Sequence, residues 1–162
     1  MTDSSAAEVR EEHIAALRLL LSGKPEAAAQ YEIPATDTGY PMVVYSAFAL
    51  AVRRRFSPTY TKAQVARYVA DLRIFLDEDA VQINPRVAEN MVRAALGDET
   101  LTDRELQGAD ESAMVAVELS ILTDLVHQAR LDAAQLEEFL REAEHQAQGW
   151  LAAQQAAQVA DR

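Results

Sequence analysis

Hydrophobic positions recur at helical spacing along most of the chain. The clearest run follows Thr61, where apolar side chains three or four residues apart predict an amphipathic helix. Its apolar positions are Val65, Tyr68, Val69, Leu72, Phe75 and Leu76. The same spacing returns at residues 114–125 and 136–151. No segment keeps the alternation of a strand, and five glycines and five prolines are too few for the turns of an all-β domain. The pattern predicts an all-α fold.

Polar residues mark where these helices begin. Thr61, Thr102 and Asp132 each stand three residues before a Gln or Glu, which is the spacing of a capping box. Asn84-Pro85 should open another helix that faces inward at residues 87, 91, 94 and 95, and Gly97 should end it in a left-handed conformation. The first helix is expected to begin at Ser4 or Ser5, and residues 33–41 form the longest predicted loop.

A helix from Pro41 to Phe56 is apolar on most of its sides, which predicts that it is buried at the centre. Its longest apolar run, Met42 to Val52, is well short of the ~20 residues that span a membrane. We therefore predict a compact bundle of about six helices around residues 41–56. A single helical domain should cover residues 1–162, with residues 1–4 and 156–162 frayed.

Composition narrows the class of protein. The chain has 162 residues, 49% of them apolar, and it has no cysteine, which excludes a disordered chain, a disulfide framework and thiol chemistry. Its N-terminal residues carry four acidic side chains by position 12 and do not resemble a secretory signal. We expect a cytoplasmic protein that does not enter a membrane.

Charge is divided unevenly along the chain, whose net charge is −11. Residues 51–75 contain six basic residues against one acidic residue, whereas residues 76–118 contain eleven acidic residues against three arginines. We call the six the basic band: Arg53, Arg54, Arg55, Lys62, Arg67 and Arg73. Its simplest interpretation is electrostatic, because Arg53 to Arg55 fall in the last turn of a helix, where cations stabilise the macrodipole by about 0.3–1 kcal/mol each.

The basic band also allows two binding interpretations. It could dock an acidic protein surface, either the acidic half of a second copy or a different protein. It could instead bind nucleic acid, since residues 61–69 superficially resemble the start of a helix-turn-helix. The turn glycine and second helix of that motif are absent, however, and the overall negative charge repels phosphate at long range.

Motifs for catalysis and metal binding are weak. Asp37-Thr38-Gly39 matches the tripeptide of aspartic proteases, but it lies between predicted helices, where a turn with Asp37 bonded to nearby amides and Gly39 at positive φ is expected. Helical geometry places His127 and His145 on solvent-facing sides. His13 falls at the edge of an apolar stripe and is expected to be a satisfied histidine at the core margin, with a pH-sensitive contact as an alternative. We therefore assign no catalytic residue, cofactor or metal ligand from the sequence.

The last helix carries two further candidates for contact. Gly149 lowers helix stability by roughly 1 kcal/mol relative to Ala, and it would permit close approach of another helix. Trp150 is expected in the core rather than in an interface. The Ala- and Gln-rich tail beyond it would be a frayed end or a shallow packing face for a second subunit.

These observations favour a small cytosolic interaction or regulatory protein without catalytic activity that associates with itself or with an acidic protein surface. A nucleic-acid-binding regulator that uses the basic band is the alternative. An enzyme with a pocket near residues 36–40 is a further hypothesis, which would need polar groups that converge on a deep pocket.

Overall fold

The computed structural model describes residues 8–34, 36–106 and 110–162 of the chain, and within these ranges every regular element is helical. The all-α prediction is confirmed. The elements are α1 (Glu11–Leu21), α2 (Pro25–Ala28), α3 (Gly39–Arg55), α4 (Lys62–Leu76), a 3₁₀ helix (Asp77–Gln82), α5 (Pro85–Ala95), α6 (Asp103–Leu106), α7 (Glu111–Ala129) and α8 (Ala133–Ala160). Six of these described helices have eleven residues or more, in agreement with the predicted number.

Helix α3 is the apolar helix predicted over residues 41–56, and it begins two residues earlier, at Gly39. Five of its apolar side chains are fully buried: Val43, Ala47, Phe48, Ala49 and Val52. Pro41 is tolerated in the first turn because the N–H groups there have no partner within the helix. Among the described helices, none combines the length and the apolar content that crossing a bilayer requires.

The helices pack as two units. One comprises the described residues up to Ala47 together with those from Arg130 onward, and the other comprises the described part of Phe48–Ala129. The single domain over residues 1–162 stays a prediction.

In the first unit, helices α1 and α8 are joined by an ion pair between Arg18 and Glu137. The Arg18 Nη2 atom donates to Glu137 Oε2 at 3.0 Å, and Nε donates to the other oxygen. Helix α1 begins at Glu11 rather than at Ser4 or Ser5, which lie outside the described residues, and residues 8–10 before it are not helical. Its first turn is closed by the backbone N–H of Arg10, which donates to His13 Nδ1 at 3.1 Å.

Helix α8 begins as predicted at Asp132, whose side chain accepts from the Gln135 amide at 2.8 Å. It remains helical to Ala160, through most of the segment expected to fray. All side chains from residue 152 onward are exposed. The high helix propensity of Ala and Gln supports this extension without tertiary packing.

In the second unit, α4 and α5 begin as the sequence predicts. Thr61 and Gln64 exchange their capping hydrogen bonds, and the Asn84 side chain accepts from the amides of Arg86 and Val87. Gly97 follows α5 with φ +78°, as expected. The inward face of α5 was predicted correctly at Ala95 only. Its buried positions are residues 88, 90, 92 and 95, whereas residues 87, 91 and 94 are half-buried, because packing against α4 and α7 sets the facing.

Candidate functional site

The second unit contains an open groove of about 670 Å³ beside helix α4. Its walls come from the end of α3, one side of α4 and the last turns of α7. The lining residues are Arg55, Phe56, Ser57, Gln64, Arg67, Tyr68, Asp71, Leu72, Phe75, Asp124, His127 and Gln128. The α4 residues lie three or four positions apart, so they share one face of that helix.

The Tyr68 hydroxyl fixes one wall of the groove by donating to Asp124 Oδ2 at 2.8 Å. Gln128 donates to the same oxygen at 2.9 Å, and the Phe56 ring meets the Tyr68 ring edge-on at 5.6 Å between centroids. Burial, together with the nearby Asp124 carboxylate, raises the pKa of Tyr68 well above its usual value. The phenol therefore remains a hydrogen-bond donor that holds α4 to α7, rather than a proton source.

Charges of both signs line the groove. Arg55 and Arg67 contribute two positive charges, and Asp71 and Asp124 contribute two negative charges. The Arg55 guanidinium lies 5.3 Å from the centre of the Phe56 ring, within cation–π range. A groove with this balance does not attract a partner by net charge, and the position of each charge along it determines what fits.

Two large apolar side chains are exposed near the C-terminal end of α4. Ile74 is 77% exposed and Phe75 is 74% exposed. The prediction that Phe75 belongs to the buried stripe is wrong, because the inward face of α4 ends with Leu72 and half-buried Leu76. Ile74 lies outside that stripe, and its position there was the sequence signal for an exposed apolar side chain.

The structure separates the members of the basic band. Arg53 Nε donates to the backbone carbonyl of Ala95 at 3.1 Å, so this side chain stabilises the C-terminal end of α5. Arg73 is half-buried, and its buried Nε has no hydrogen-bond partner within the described part of the chain. Arg54 and Lys62 are exposed on α3 and α4, outside the groove lining.

Arg55 and Arg67 are therefore the two members of the basic band that the structure brings together. Sequence reasoning missed the other polar groups around them, namely Gln64, Asp71, Asp124, His127 and Gln128. Those on α7 lie more than fifty positions further along the chain, and no local pattern links them to α4.

The segment around residues 36–40 forms a second polar cluster. Asp37 Oδ1 accepts from the amides of Gly39 and Tyr40 at 2.8 and 3.0 Å, as expected for a turn. Its Oδ2 accepts from the Arg10 guanidinium and from His13 Nε2. Burial raises the pKa of Asp37, but these hydrogen bonds outweigh burial and hold the pKa below its usual value. Both carboxylate oxygens are thus engaged, which gives the enzyme hypothesis no support here.

Gly39 does not have the positive φ that we predicted, since it is the first residue of α3. A Cβ atom at this position would lie 2.1 Å from the Glu8 carbonyl oxygen and 2.7 Å from His13 Cε1. Close approach of the backbone, rather than a left-handed turn, requires glycine here.

His13 is fully buried between Arg10 and Asp37. Its Nδ1 accepts the Arg10 amide, so the neutral ring carries its proton on Nε2 and donates it to Asp37 at 3.1 Å. His127 and His145 are exposed, as helical geometry predicts. In the ranges that the structure describes, no three His, Asp or Glu side chains are grouped so that they could hold a metal ion.

The predicted contact features of α8 have mixed outcomes. Gly149 is exposed, and an added Cβ there would have no neighbour within 4 Å, so no helix among the described residues makes the close approach that this glycine would permit. Trp150 is half-buried and contacts Tyr45 at 5.4 Å between ring centroids.

The chain matches no protein-family model, and comparisons with curated proteins and with solved structures likewise find no match.

Proposed function

We propose that this protein is a non-catalytic interaction or regulatory protein of the cytoplasm that binds protein surfaces, including a second copy of itself, through α4. The exposed pair Ile74 and Phe75 carries this proposal. Large apolar side chains that stay exposed together beside a groove are typical of protein contact sites. Arg55 and Arg67 add the side-chain type that is most enriched among the charged residues of such interfaces.

A protein surface fits this face better than nucleic acid does. Phosphate binding requires several free cations on one side, whereas Arg53 is bonded to α5 and Arg73 is half-buried. Asp71 and Asp124 also lie in the groove, where they would repel phosphates.

Solution mass tests the proposal. We expect light scattering at micromolar concentration to show a dimer. The double variant Ile74→Ser/Phe75→Ser should weaken the association at least about tenfold, because it removes the apolar contact. Val159→Ser is the matched control, since Val159 is 73% exposed on α8 and its replacement should leave the mass unchanged.

A chain that stays monomeric at all concentrations would contradict self-association. Tight duplex DNA binding at low salt that is lost in Arg53→Glu/Arg54→Glu/Arg55→Glu would contradict the proposed class of partner.

A further inference from the structure

Exposed charges follow a graded order along α4 and the 3₁₀ helix after it. Lys62 and Arg67 lie in the N-terminal half of α4, Asp71 lies beyond its middle, and three acidic residues follow at positions 77–79. All six side chains are exposed, and none forms a salt bridge with another described residue. Apart from half-buried Arg73, the charged side chains of this segment are positive at one end and negative at the other.

Small and apolar residues occupy the same exposed side between these ends. Ala63, Arg67, Ala70 and Ile74 are exposed at intervals of four, three and four residues. This spacing keeps them on one face of the helix, as in the seam of a helix pair. Alanines at such positions allow a second helix to approach to an axial distance of about 8 Å.

We propose that α4 pairs in antiparallel orientation with α4 of a second copy, about a two-fold axis level with residue 69, between Arg67 and Ala70; this inference rests on the proposed function. A two-fold interface places the same patch of both copies against itself. Antiparallel pairing sets the N-terminal half of one α4 against the C-terminal half of the other. Lys62 then faces residues 77–79 of the second copy at each end, and Arg67 lies close to the second copy's Asp71.

Apolar contacts agree with the same arrangement. Antiparallel pairing places Ile74 and Phe75 of one copy over Ala63 of the other, where a small side chain leaves room for them. By symmetry this contact forms at both ends of the helix pair, so Ile74 and Phe75 of each copy become buried. The groove beside α4, with Phe75 and Leu72 in its wall, then lies next to the second helix and can receive its side chains.

Charge order selects a second copy over other partners. A uniformly acidic surface would meet repulsion from Asp71 and from residues 77–79, and a uniformly basic surface would meet repulsion from Lys62 and Arg67. The complementary partner is one whose charges are arranged in the opposite order along its surface. Helix α4 of a second copy has that arrangement when it lies antiparallel to the first. Parallel pairing would instead set like charges against each other.

Engineered disulfides test the orientation directly, because the natural chain has no cysteine. Ala70→Cys should cross-link to itself under mild oxidation, since it lies near the axis. Ala63→Cys and Ile74→Cys should each cross-link poorly alone and efficiently when the two variants are mixed. Ala153→Cys, on the exposed end of α8, is the control and should give monomer.

Strong self-linking of both Ala63→Cys and Ile74→Cys without mixed product would show parallel pairing and overturn the proposal. Lack of cross-linking in all α4 variants of a chain that is still dimeric would place the interface elsewhere and would also overturn it. The proposed self-association would survive both results, and it fails only if the natural chain is monomeric.

A charge exchange provides an independent test. Lys62→Glu should raise the dimer dissociation constant about tenfold, measured by sedimentation, because it sets acidic groups against each other at both ends. Since an acidic residue in the first turn of a helix is favourable, this variant should keep its helix content. Adding Asp77→Lys and Glu78→Lys in the same chain should restore association. An unchanged dissociation constant in Lys62→Glu, or no recovery in the triple variant, would contradict the pairing.

Discussion

At the scale of single residues, the cluster around Asp37 shows what the sequence could and could not predict. That Asp37 would bond nearby amides follows from its position before a helix, and the structure confirms it. The contacts of Asp37 with Arg10 and His13 join positions 24 or more residues apart, and no local pattern predicts them. Gly39 was expected to serve a turn, but its role depends on where the Glu8 carbonyl lies.

Gly39 leads to a prediction about stability. Gly39→Ala would place a methyl group against the Glu8 carbonyl and the His13 ring, so the free energy of unfolding should fall by about 1–3 kcal/mol in urea denaturation. Gly149→Ala is the control. Its Cβ would meet open space on an exposed helix, and the change should raise stability by up to about 1 kcal/mol. Equal effects of the two substitutions would contradict this account.

Glu118 leads to a prediction about pH. Burial raises the pKa of Glu118 from its usual value of 4.5 to about 7. The native state therefore retains a proton that the unfolded chain releases, so this residue lowers stability as the pH rises from 4.5 to 7. At pH 8, the free energy of unfolding of Glu118→Gln should be about 2 kcal/mol higher than that of the natural chain. The difference should shrink as the pH falls and become small at and below pH 4.5, where Glu118 is neutral in the native state and increasingly neutral in the unfolded chain.

Urea titrations at several pH values measure this effect. Glu138→Gln, on the exposed side of α8, serves as the control and should change stability little at any of them. A Glu118→Gln difference that is the same at pH 4.5 and pH 8 would show that its cause is packing rather than titration.

At the scale of helices, the starts at Thr61, Asn84 and Asp132 were predictable because a cap forms between residues two or three positions apart. Helix faces were harder to predict. The exposure of Phe75 and the choice of which side of α5 is buried depend on where the neighbouring helices pack. When a helix has apolar side chains on several sides, its sequence does not determine which side those neighbours cover. The candidate site was predictable only in part. Two members of the basic band, Arg55 and Arg67, do lie in the groove. Arg53 instead binds the carbonyl of Ala95, which lies 42 residues further along the chain, and no local pattern predicts that contact.

The Asn84 cap supplies a prediction at this scale. Asn84→Ala removes the acceptor for the amides of Arg86 and Val87, and should lower the free energy of unfolding by about 1 kcal/mol. Asn84→Asp keeps an acceptor at the start of α5 and should remain close to the natural chain in thermal denaturation. An Asn84→Ala protein as stable as Asn84→Asp would mean that the cap contributes little.

At the scale of the whole molecule, the boundaries between positive and negative stretches of the chain differ from the boundaries between the two packing units. The net charge of −11 conceals a positive stretch at residues 51–75, which continues directly into an acidic one. This feature was visible in the sequence, whereas the two packing units were not, because they bring residues from both ends of the chain into one unit. The unit boundary falls within α3, where the helical period continues without a break.

Thermal unfolding tests whether the two units behave as the single predicted domain. Trp150, against Tyr45, belongs to the first unit, whereas circular dichroism reports helices in both. For one cooperative domain, tryptophan emission and ellipticity should give the same midpoint within error. Midpoints that differ by several degrees would show that the units unfold separately.

The position of the one tryptophan has a practical consequence for optical studies of this protein. With a single indole in the chain, tryptophan emission comes from one known place, half-shielded from water beside a phenol ring. Since α4 carries no indole, titrations of assembly could follow a dye attached there while the native fluorophore reports independently that the rest of the polypeptide is intact.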